Sequence, residues 1–189
     1  MSAAAQRRAK QTVRNLIFSM VATLGLVILL VLGVPRDDSN RITEVDYRQI
    51  AAEAEASLGF EVITPEVPSD WWSNAARLET ELGVQSWYVG FVTEDNQFIA
   101  LLHGFEVNPS WTALTLQGNW LEDEVVISGR TWEIWPSLTP TNPPGTKDYA
   151  MIHSFANSAV VIYGTADEAD FRELAGLISQ ELEGMLATN

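Results

Sequence analysis

The sequence predicts an α+β fold, with an N-terminal transmembrane helix followed by one exported domain of antiparallel sheet with packed helices. Three observations predict it. An uncharged apolar run lies near the N terminus, three pairs of alternating segments are separated by short turns, and amphipathic helical patterns flank those pairs. At 189 residues, the chain has room for one such domain after the membrane segment.

The apolar run covers residues 16–34, and none of these residues is charged. A helix of that length spans about 28 Å, close to the thickness of the hydrocarbon core of a bilayer. A cleaved signal peptide is the alternative, but its apolar part is usually only about 7–15 residues long. The sequence offers only a weak cleavage site, at residues 31–33, so an uncleaved signal anchor is the favoured interpretation.

Basic residues are distributed unevenly around this run, and their distribution predicts the topology. Four of them lie within residues 1–15, whereas Arg36 is the only one within residues 35–40. By the positive-inside rule, residues 1–15 form a short basic cytoplasmic segment and residues 16–34 contact the lipid bilayer. Residues 35–45 are then a polar tether, and residues 46–189 an extracytoplasmic domain. The predicted location is the cell membrane, in a single pass with the N terminus in the cytoplasm.

Two helical patterns flank the strands of the exported domain. The first has Asp46 as its N-cap and ends at Gly59, with apolar residues at helical spacing between them: Tyr47, Ile50, Ala51, Ala54 and Leu58. The second opens with a capping box made by Thr165 and Glu168, and its apolar face consists of Phe171, Leu174, Ile178, Leu182 and Met185. Both are predicted to pack on the sheet.

Strands are predicted where apolar and polar residues alternate. Residues 60–64 predict a short strand before a proline-containing loop, and a short helix is expected to begin near Pro109. Strand parity places Trp87 and Trp132 in the core. Three hairpins are predicted, pairing residues 86–93 with 97–105, 124–127 with 131–135, and 148–155 with 158–164.

Charge and composition exclude several classes of function. Residues 35–189 hold seven basic and all 25 acidic residues, a net charge of −18. Such a field repels phosphate backbones, so nucleic-acid binding by this domain is excluded. The chain has no cysteine, which excludes disulfides, thiolate metal sites, cysteine nucleophiles and a lipid-modified cysteine.

No pattern in the sequence predicts a catalytic, cofactor-binding or metal-binding residue. The two histidines, His103 and His153, lie late in predicted strands, and the default interpretation is that they are half-buried with their hydrogen bonds satisfied. The acidic run of residues 122–124 lacks the spacing of a calcium loop, so a solvated face is the simpler interpretation. Phosphate-binding, dinucleotide-binding and serine-hydrolase motifs are all missing from the sequence.

Trp71 and Trp72 are the candidate partner-binding residues. All seven tryptophans lie between residues 71 and 135, and this adjacent pair follows a proline-containing loop. Neighbouring residues of a strand point to opposite faces, so one ring is expected to pack on the sheet and the other to point outward. An exposed indole offers a large apolar face and a polar N–H to a partner.

The order of short motifs resembles a family of small actinobacterial single-pass membrane proteins known as domain of unknown function 4245. The resemblance rests on the basic leader and apolar span, and on motifs that follow in order: Val45-Asp46-Tyr47, Pro65-Glu66-Val67-Pro68 before Trp71, Trp87-Tyr88-Val89-Gly90-Phe91, Gly129 with Trp132, and Gly164 before the last helix. At Trp72, where a glycine or polar residue is expected, the chain departs from the pattern. The resemblance implies a membrane-tethered exported domain, and it implies no activity, cofactor or catalytic residue.

These observations predict a membrane-anchored envelope protein, acting as a binding or interaction module for an envelope protein or a cell-wall ligand. The alternative is an extracytoplasmic hydrolase of envelope polymers, using carboxylates or a histidine such as His153 as acid and base groups. A cleft with a strongly shifted carboxylate or a hydrogen-bonded histidine would favour the enzyme. An aromatic groove without such groups would favour binding.

Overall fold

The structure, a computed structural model, describes residues 3–33, 43–140 and 145–188. The chain divides into two compact units, Met1–Arg41 and Ile42–Asn189. In the described residues the helices are α1 (Ala3–Gly33), α2 (Tyr47–Leu58), α3 (Pro109–Thr115) and α4 (Glu168–Thr188). The strands are β1 (Trp72–Glu81), β2 (Val84–Val92), β3 (Phe98–Phe105), β4 (Asp123–Ile127), β5 (Arg130–Pro136), β6 (Tyr149–Phe155) and β7 (Ser158–Gly164).

The first unit contains α1, a continuous helix of 31 residues. Residues 3–15 belong to the same helix as the apolar run, which this helix includes as far as residue 33. Among the described residues, no helix is long and apolar enough to cross a membrane. Side chains of α1 are described from residue 13 to residue 29, and the last residue of the predicted span 16–34 lies outside the described residues, as does most of the tether 35–45.

The second unit is built on one antiparallel sheet of seven strands, in the order β1-β2-β3-β7-β6-β5-β4. The predicted α+β class is therefore confirmed, and so are the three hairpins, as β2 with β3, β4 with β5, and β6 with β7. The pairing of β3 with β7, in which Leu101 lies opposite Ile162, joins the first hairpin to the last. This order leaves β1 and β4 as the two edge strands.

Strand β1 is a part of the sheet that the sequence did not predict. Its register to β2 shifts between Ser73 and Ala75, so that Ser73 lies opposite Phe91 and Ala75 opposite Gly90. The extra residue between them, Asn74, breaks the two-residue period by which strands are recognised. After this bulge the residues of β1 are half-buried or exposed without a clear alternation, so the segment does not show the pattern of a strand in the sequence.

Helices α2 and α4 cover one face of the sheet and enclose the larger core. As predicted, Asp46 caps α2, where its Oδ1 accepts hydrogen bonds from the amides of Arg48 and Gln49 at 3.1 Å each. Gly59 ends the helix with φ of 79°, a left-handed conformation that favours glycine. The predicted apolar faces are buried here, including Tyr47, Ala51 and Ala54 of α2 and Phe171, Leu174, Ile178 and Leu182 of α4.

Residues 60–64 do not form the predicted strand, although Val62 and Ile63 are buried. Carboxylates of the two helices bind this segment in place of a neighbouring strand. Glu55 Oε1 of α2 accepts a hydrogen bond from Val62 N at 3.0 Å, and Glu181 Oε1 of α4 accepts one from Thr64 N at 2.7 Å. Because these amides already have side-chain acceptors, the segment runs between the helices without entering the sheet.

The predicted capping box at Thr165 is also wrong. Helix α4 begins at Glu168, and Thr165 Oγ1 instead accepts a hydrogen bond from Phe98 N at 3.1 Å. The Phe98 carbonyl oxygen accepts in return from the amides of Thr165 at 2.7 Å and Ala166 at 3.1 Å. Thr165 therefore ties the end of β7 to the start of β3.

A smaller core lies on the opposite face of the sheet, beneath α3. As predicted, α3 is short and begins at Pro109, with Asn108 as its N-cap. Trp111 of α3 is buried over Gly104, where an added Cβ would lie 2.7 Å from the indole Cη2. The central strands are thus covered on both faces, which explains why β2 is buried at almost every position rather than at every second one.

Candidate functional site

One row of side chains crosses the sheet on the face covered by α2 and α4. It consists of residues opposite one another in neighbouring strands: Leu78, Trp87, His103, Val160, His153, Trp132 and Val125. Trp87 and Trp132 are fully buried, which confirms their predicted place in the core. The row also brings both histidines to one face, with Val160 between them.

A cavity of about 660 Å³ lies beside this row, at the end of the sheet where β3 and β6 finish. We call it the end cavity. The strands contribute its floor, the last turns of α4 contribute one wall, and the residues that follow α2 contribute another. Its lining consists of Phe60, Glu61, Gly83, Gln85, His103, Phe105, Glu106, Phe155, Ser158, Leu182 and Met185.

Four aromatic rings of the lining contact one another. The ring of His103 lies 4.4 Å from that of Phe105 and 5.7 Å from that of Phe155, measured between centroids. Phe60 packs edge-on against Phe105 at 4.8 Å, with 73° between the ring planes. The side of the cavity formed by these rings is therefore aromatic, a lining typical of sites for small apolar molecules.

His103 is the buried polar group of the end cavity. Its exposed fraction is 5%, and burial lowers the pKa of its imidazole to about 3, so the ring is neutral at ordinary pH. Its Nδ1 is enclosed and has no hydrogen-bond partner among the described residues. The expected satisfied histidine is therefore not found here, and an enclosed nitrogen without a partner costs stability unless something else satisfies it.

Acid should destabilise the folded domain through His103. Between pH 6.5 and about 3 the unfolded chain binds a proton at this residue and the folded chain does not. The contribution of the neutral His103 to the free energy of unfolding is therefore fully present above pH 6.5. It is lost as the pH falls, by about 1.4 kcal/mol per pH unit. We expect the free energy of unfolding of the full chain, measured with urea, to fall between pH 7 and pH 5. In His103→Phe this fall should be smaller by about 1.4 kcal/mol per pH unit, which corresponds to one proton. Equal slopes for the two proteins would contradict the assignment.

His153 has a different environment from His103. Its Nδ1 lies 2.8 Å from the Thr131 carbonyl oxygen, so this nitrogen carries the proton and donates, which leaves Nε2 as an enclosed acceptor without a partner. Burial lowers the pKa of its imidazole as well, and the charge of Arg130 adds to that effect. His153 does not line the end cavity.

The end cavity lies at the opposite end of the sheet from the point where the chain enters the second unit. Val45 N donates a hydrogen bond to the Ser73 carbonyl oxygen at the start of β1, at 2.8 Å. The cavity is lined instead by Gln85, near the start of β2, and Phe105, at the end of β3. The described residues of the entering segment, from residue 43 on, do not line the cavity.

Trp71 and Trp72, the predicted partner-binding pair, have different environments. Trp71 is 8% exposed and belongs to the larger core, whereas Trp72 opens β1 opposite Val92 and is half-buried. Trp71 also lines a small acidic cavity of about 220 Å³ that includes Asp70, Asp95 and Asp170. Neither tryptophan is near the end cavity along the sheet, because β1 begins at the opposite end.

Among the described residues, carboxylates with a raised pKa occur at two places, and neither lines the end cavity. Burial raises the pKa of Glu181, which binds Thr64, and burial followed by the charges of nearby aspartates raises that of Asp170. Residues 122–124 lie at the start of the edge strand β4 and are exposed. In the part of the chain that the structure describes, no three histidine or acidic side chains are grouped so that they could hold a metal ion.

A second cavity, of about 780 Å³, lies on the opposite face of the sheet beside α3. Pro109, Leu116 and Trp135 contribute apolar surface to it. Trp120, which follows the lining residue Asn119, is 44% exposed. Unlike the end cavity, this second cavity is lined by no histidine and by no acidic residue.

Sequence reasoning missed the end cavity as a site. It placed His103 and His153 correctly on strands. Strand parity places Phe105 on the same face as His103, and Phe155 on the same face as His153. The signal that was present is this repeated pairing of histidine with phenylalanine near the ends of two strands. The pairing of β3 with β7, which places β3 and β6 on the two sides of β7, was not predictable from the sequence.

Comparison with known proteins identifies the family of the chain. A family model described as protein of unknown function (DUF4245) matches residues 8–178, which is most of the chain. No curated protein and no solved structure matches the chain. The extent of the family match confirms the resemblance found in the sequence, and the chain belongs to the family of proteins of unknown function DUF4245.

Proposed function

We propose that this chain is a membrane-anchored extracytoplasmic binding protein, and that its end cavity holds a small apolar molecule. The observation that carries the proposal is the end cavity itself. It has a volume of about 660 Å³, an aromatic floor and a buried histidine whose Nδ1 lacks a partner. Small-molecule sites in proteins have this size and this combination of apolar walls with a few polar groups.

The anchoring part of the proposal is supported by residues 16–34, which carry no charge, and by the basic residues before them. Large apolar side chains of α1 are exposed, with fractions of 65% for Phe18 and 71% for Leu29. Such exposure is costly in water and favourable in lipid. The resemblance to single-pass proteins supports the same interpretation.

Protease treatment of intact protoplasts tests the topology. We expect added protease to remove the domain beyond residue 34 while a reporter fused at Met1 stays protected, because the basic residues of the first unit hold the N terminus in the cytoplasm. Lysed protoplasts, in which both parts become accessible, are the control. Protection of the domain would overturn the orientation, and release of intact soluble domain without protease would show cleavage at residues 31–33.

The partner could also be an envelope protein or a cell-wall polymer bound at Trp72, the more exposed of the predicted pair. Its half-buried indole lies at the start of the edge strand β1. This role stays a prediction. Nucleic acid is not proposed as a partner, because the net charge of −18 over residues 35–189 repels phosphate.

The alternative of an envelope hydrolase has less support in the described residues. A general acid or base must reach the substrate, but His153 is buried with its Nδ1 bound to Thr131, and Glu181 binds Thr64. His103, which does line the end cavity, has a pKa of about 3 and is a weak base. The arrangement is therefore better suited to holding a molecule than to transferring a proton.

A neutral fluorescent probe tests binding in the end cavity. We expect N-phenyl-1-naphthylamine to bind the full chain in a non-ionic detergent with a saturable, one-to-one component above the detergent background. Ser158→Phe should remove that component, because residue 158 lines the cavity between Phe105 and Phe155. The matched control is Ser154→Phe, the same substitution at an exposed position of the same hairpin outside the cavity. Equal binding by both variants would overturn the proposal.

A further inference from the structure

We infer that the end cavity selects uncharged, ring-bearing molecules and rejects anions, because its interior is aromatic and its rim is acidic. The inference rests on the proposed binding function and adds the chemical class of the ligand. It depends on three features of the lining: the arrangement of the rings, the polar groups among them, and the sign of the charges at the edge.

The rings favour a planar apolar molecule. His103 and Phe105 are inclined at 62°, and Phe60 and Phe105 at 73°, so each pair presents a ring edge to a neighbouring face. A further planar ring can extend such an arrangement edge to face or in offset stacking. Leu182 and Met185 of α4 face these rings across the cavity with aliphatic surface.

Apart from the two glutamates, the polar side chains of the lining are neutral. Gln85, which is exposed, offers an amide, Ser158 offers a hydroxyl, and His103 is uncharged because burial lowers its pKa far below neutrality. An enclosed nitrogen without a partner is more tolerable as a bare acceptor than as an N–H, which favours the proton on Nε2 of His103. These groups can bind a neutral hydroxyl, amine or carbonyl of a ligand.

The charges at the edge are all negative. Glu61 and Glu106 line the cavity and are exposed, and no described residue of the lining is lysine or arginine. An anion entering the cavity would give up water without meeting a cation and would pass two carboxylates. The excess of acidic residues in the whole domain acts in the same direction.

A matched pair of probes tests this selectivity on the full chain in non-ionic detergent. N-phenyl-1-naphthylamine and 1-anilinonaphthalene-8-sulfonate share one ring skeleton and differ by the sulfonate. Binding to the cavity is the difference in fluorescence between the wild-type chain and Ser158→Phe. We expect the neutral probe to bind and the sulfonate to bind at least about tenfold more weakly.

The acidic rim is tested by a double substitution, Glu61→Gln with Glu106→Gln. It should raise the affinity for the sulfonate at least about threefold and leave the affinity for the neutral probe unchanged. The control with the same change in net charge is Glu53→Gln with Glu124→Gln, two exposed carboxylates outside the cavity, and it should leave both affinities unchanged.

The outcomes separate the inference from the proposed function. If neither probe distinguishes the wild-type chain from Ser158→Phe, the binding function itself is overturned. If both probes bind the cavity with equal affinity, the cavity binds molecules but the inferred selectivity is wrong. An increase in sulfonate affinity that is the same in the rim variant and the control variant would overturn the role of Glu61 and Glu106.

Discussion

Gly164→Ala should destabilise the domain by about 3–4 kcal/mol, a loss at the upper end of what single substitutions cause. Gly164 ends β7 and lies opposite Ile99 of β3 on one side and Tyr149 of β6 on the other. A Cβ at this position would overlap the carbonyl oxygen of Phe98 and lie 2.8 Å from Ile99 Cα. Both atoms belong to backbone, so neither can rotate away as a side chain would.

The clash would occur where the sheet joins the last helix. The same Phe98 carbonyl oxygen accepts hydrogen bonds from Thr165 and Ala166, which lead into α4, so moving it disturbs the helix as well as the strand pairing. Urea unfolding of the full chain measures the loss, from the midpoint and the slope of the transition.

Gly176→Ala is the matched control for this prediction. Gly176 lies within α4, and its Cβ would lie at an ordinary 3.7 Å from Ile127 Cγ2. Alanine is the better helix former, so this variant should gain about 0.5–1 kcal/mol. Equal stabilities of the two variants would show that the contact between β7 and β3 is not as close as described.

The sequence predicts the elements of this fold whose signals are local. Asp46 and Gly59 bound α2 because capping and a left-handed stop depend only on the chain next to them. The three hairpins are predictable for the same reason, since each strand pairs with the one that follows it across a short turn. Alternation then assigns the faces of Trp87 and Trp132 correctly.

The features that the sequence did not predict depend on contacts between distant segments. The segment after α2 has the composition of a strand, but Glu55 and Glu181 satisfy its amides. The residue Thr165 has the spacing of a cap, but its hydroxyl accepts from Phe98, more than sixty residues earlier. Local patterns were overridden in both places because a partner from elsewhere in the chain was available.

The end cavity is beyond prediction for the same reason. Its lining comes from the segment after α2, the first and last hairpins, and the end of α4. The aromatic residues are visible in the sequence, but their meeting requires β3 and β6 to flank β7. The clustering of tryptophans led to the prediction that Trp71 and Trp72 bind a partner. The aromatic side of the end cavity consists instead of phenylalanine rings and His103.

Trp132→Ala should cost about 3–5 kcal/mol of folding free energy, the usual range for removing a fully buried large aromatic side chain. Trp132 is 0% exposed, and its ring lies 5.5 Å from that of His153. Its Nε1 donates to Ser179 Oγ at 3.0 Å, and Ser179 in turn donates to the Ala175 carbonyl oxygen of α4. The indole therefore joins β5 to α4 through both packing and a hydrogen bond.

Two further substitutions separate these contributions and control for tryptophan loss in general. Trp132→Phe keeps a ring but removes the donor, so we expect an intermediate loss of about 1–2 kcal/mol. Trp120→Ala removes an indole that is 44% exposed and should change stability by less than about 1 kcal/mol. All three variants are compared by urea unfolding of the full chain at pH 7. If Trp132→Ala lost no more stability than Trp120→Ala, the packing of α4 on β5 described here would be wrong, because no buried indole that bridges a sheet and a helix can be removed without leaving a cavity.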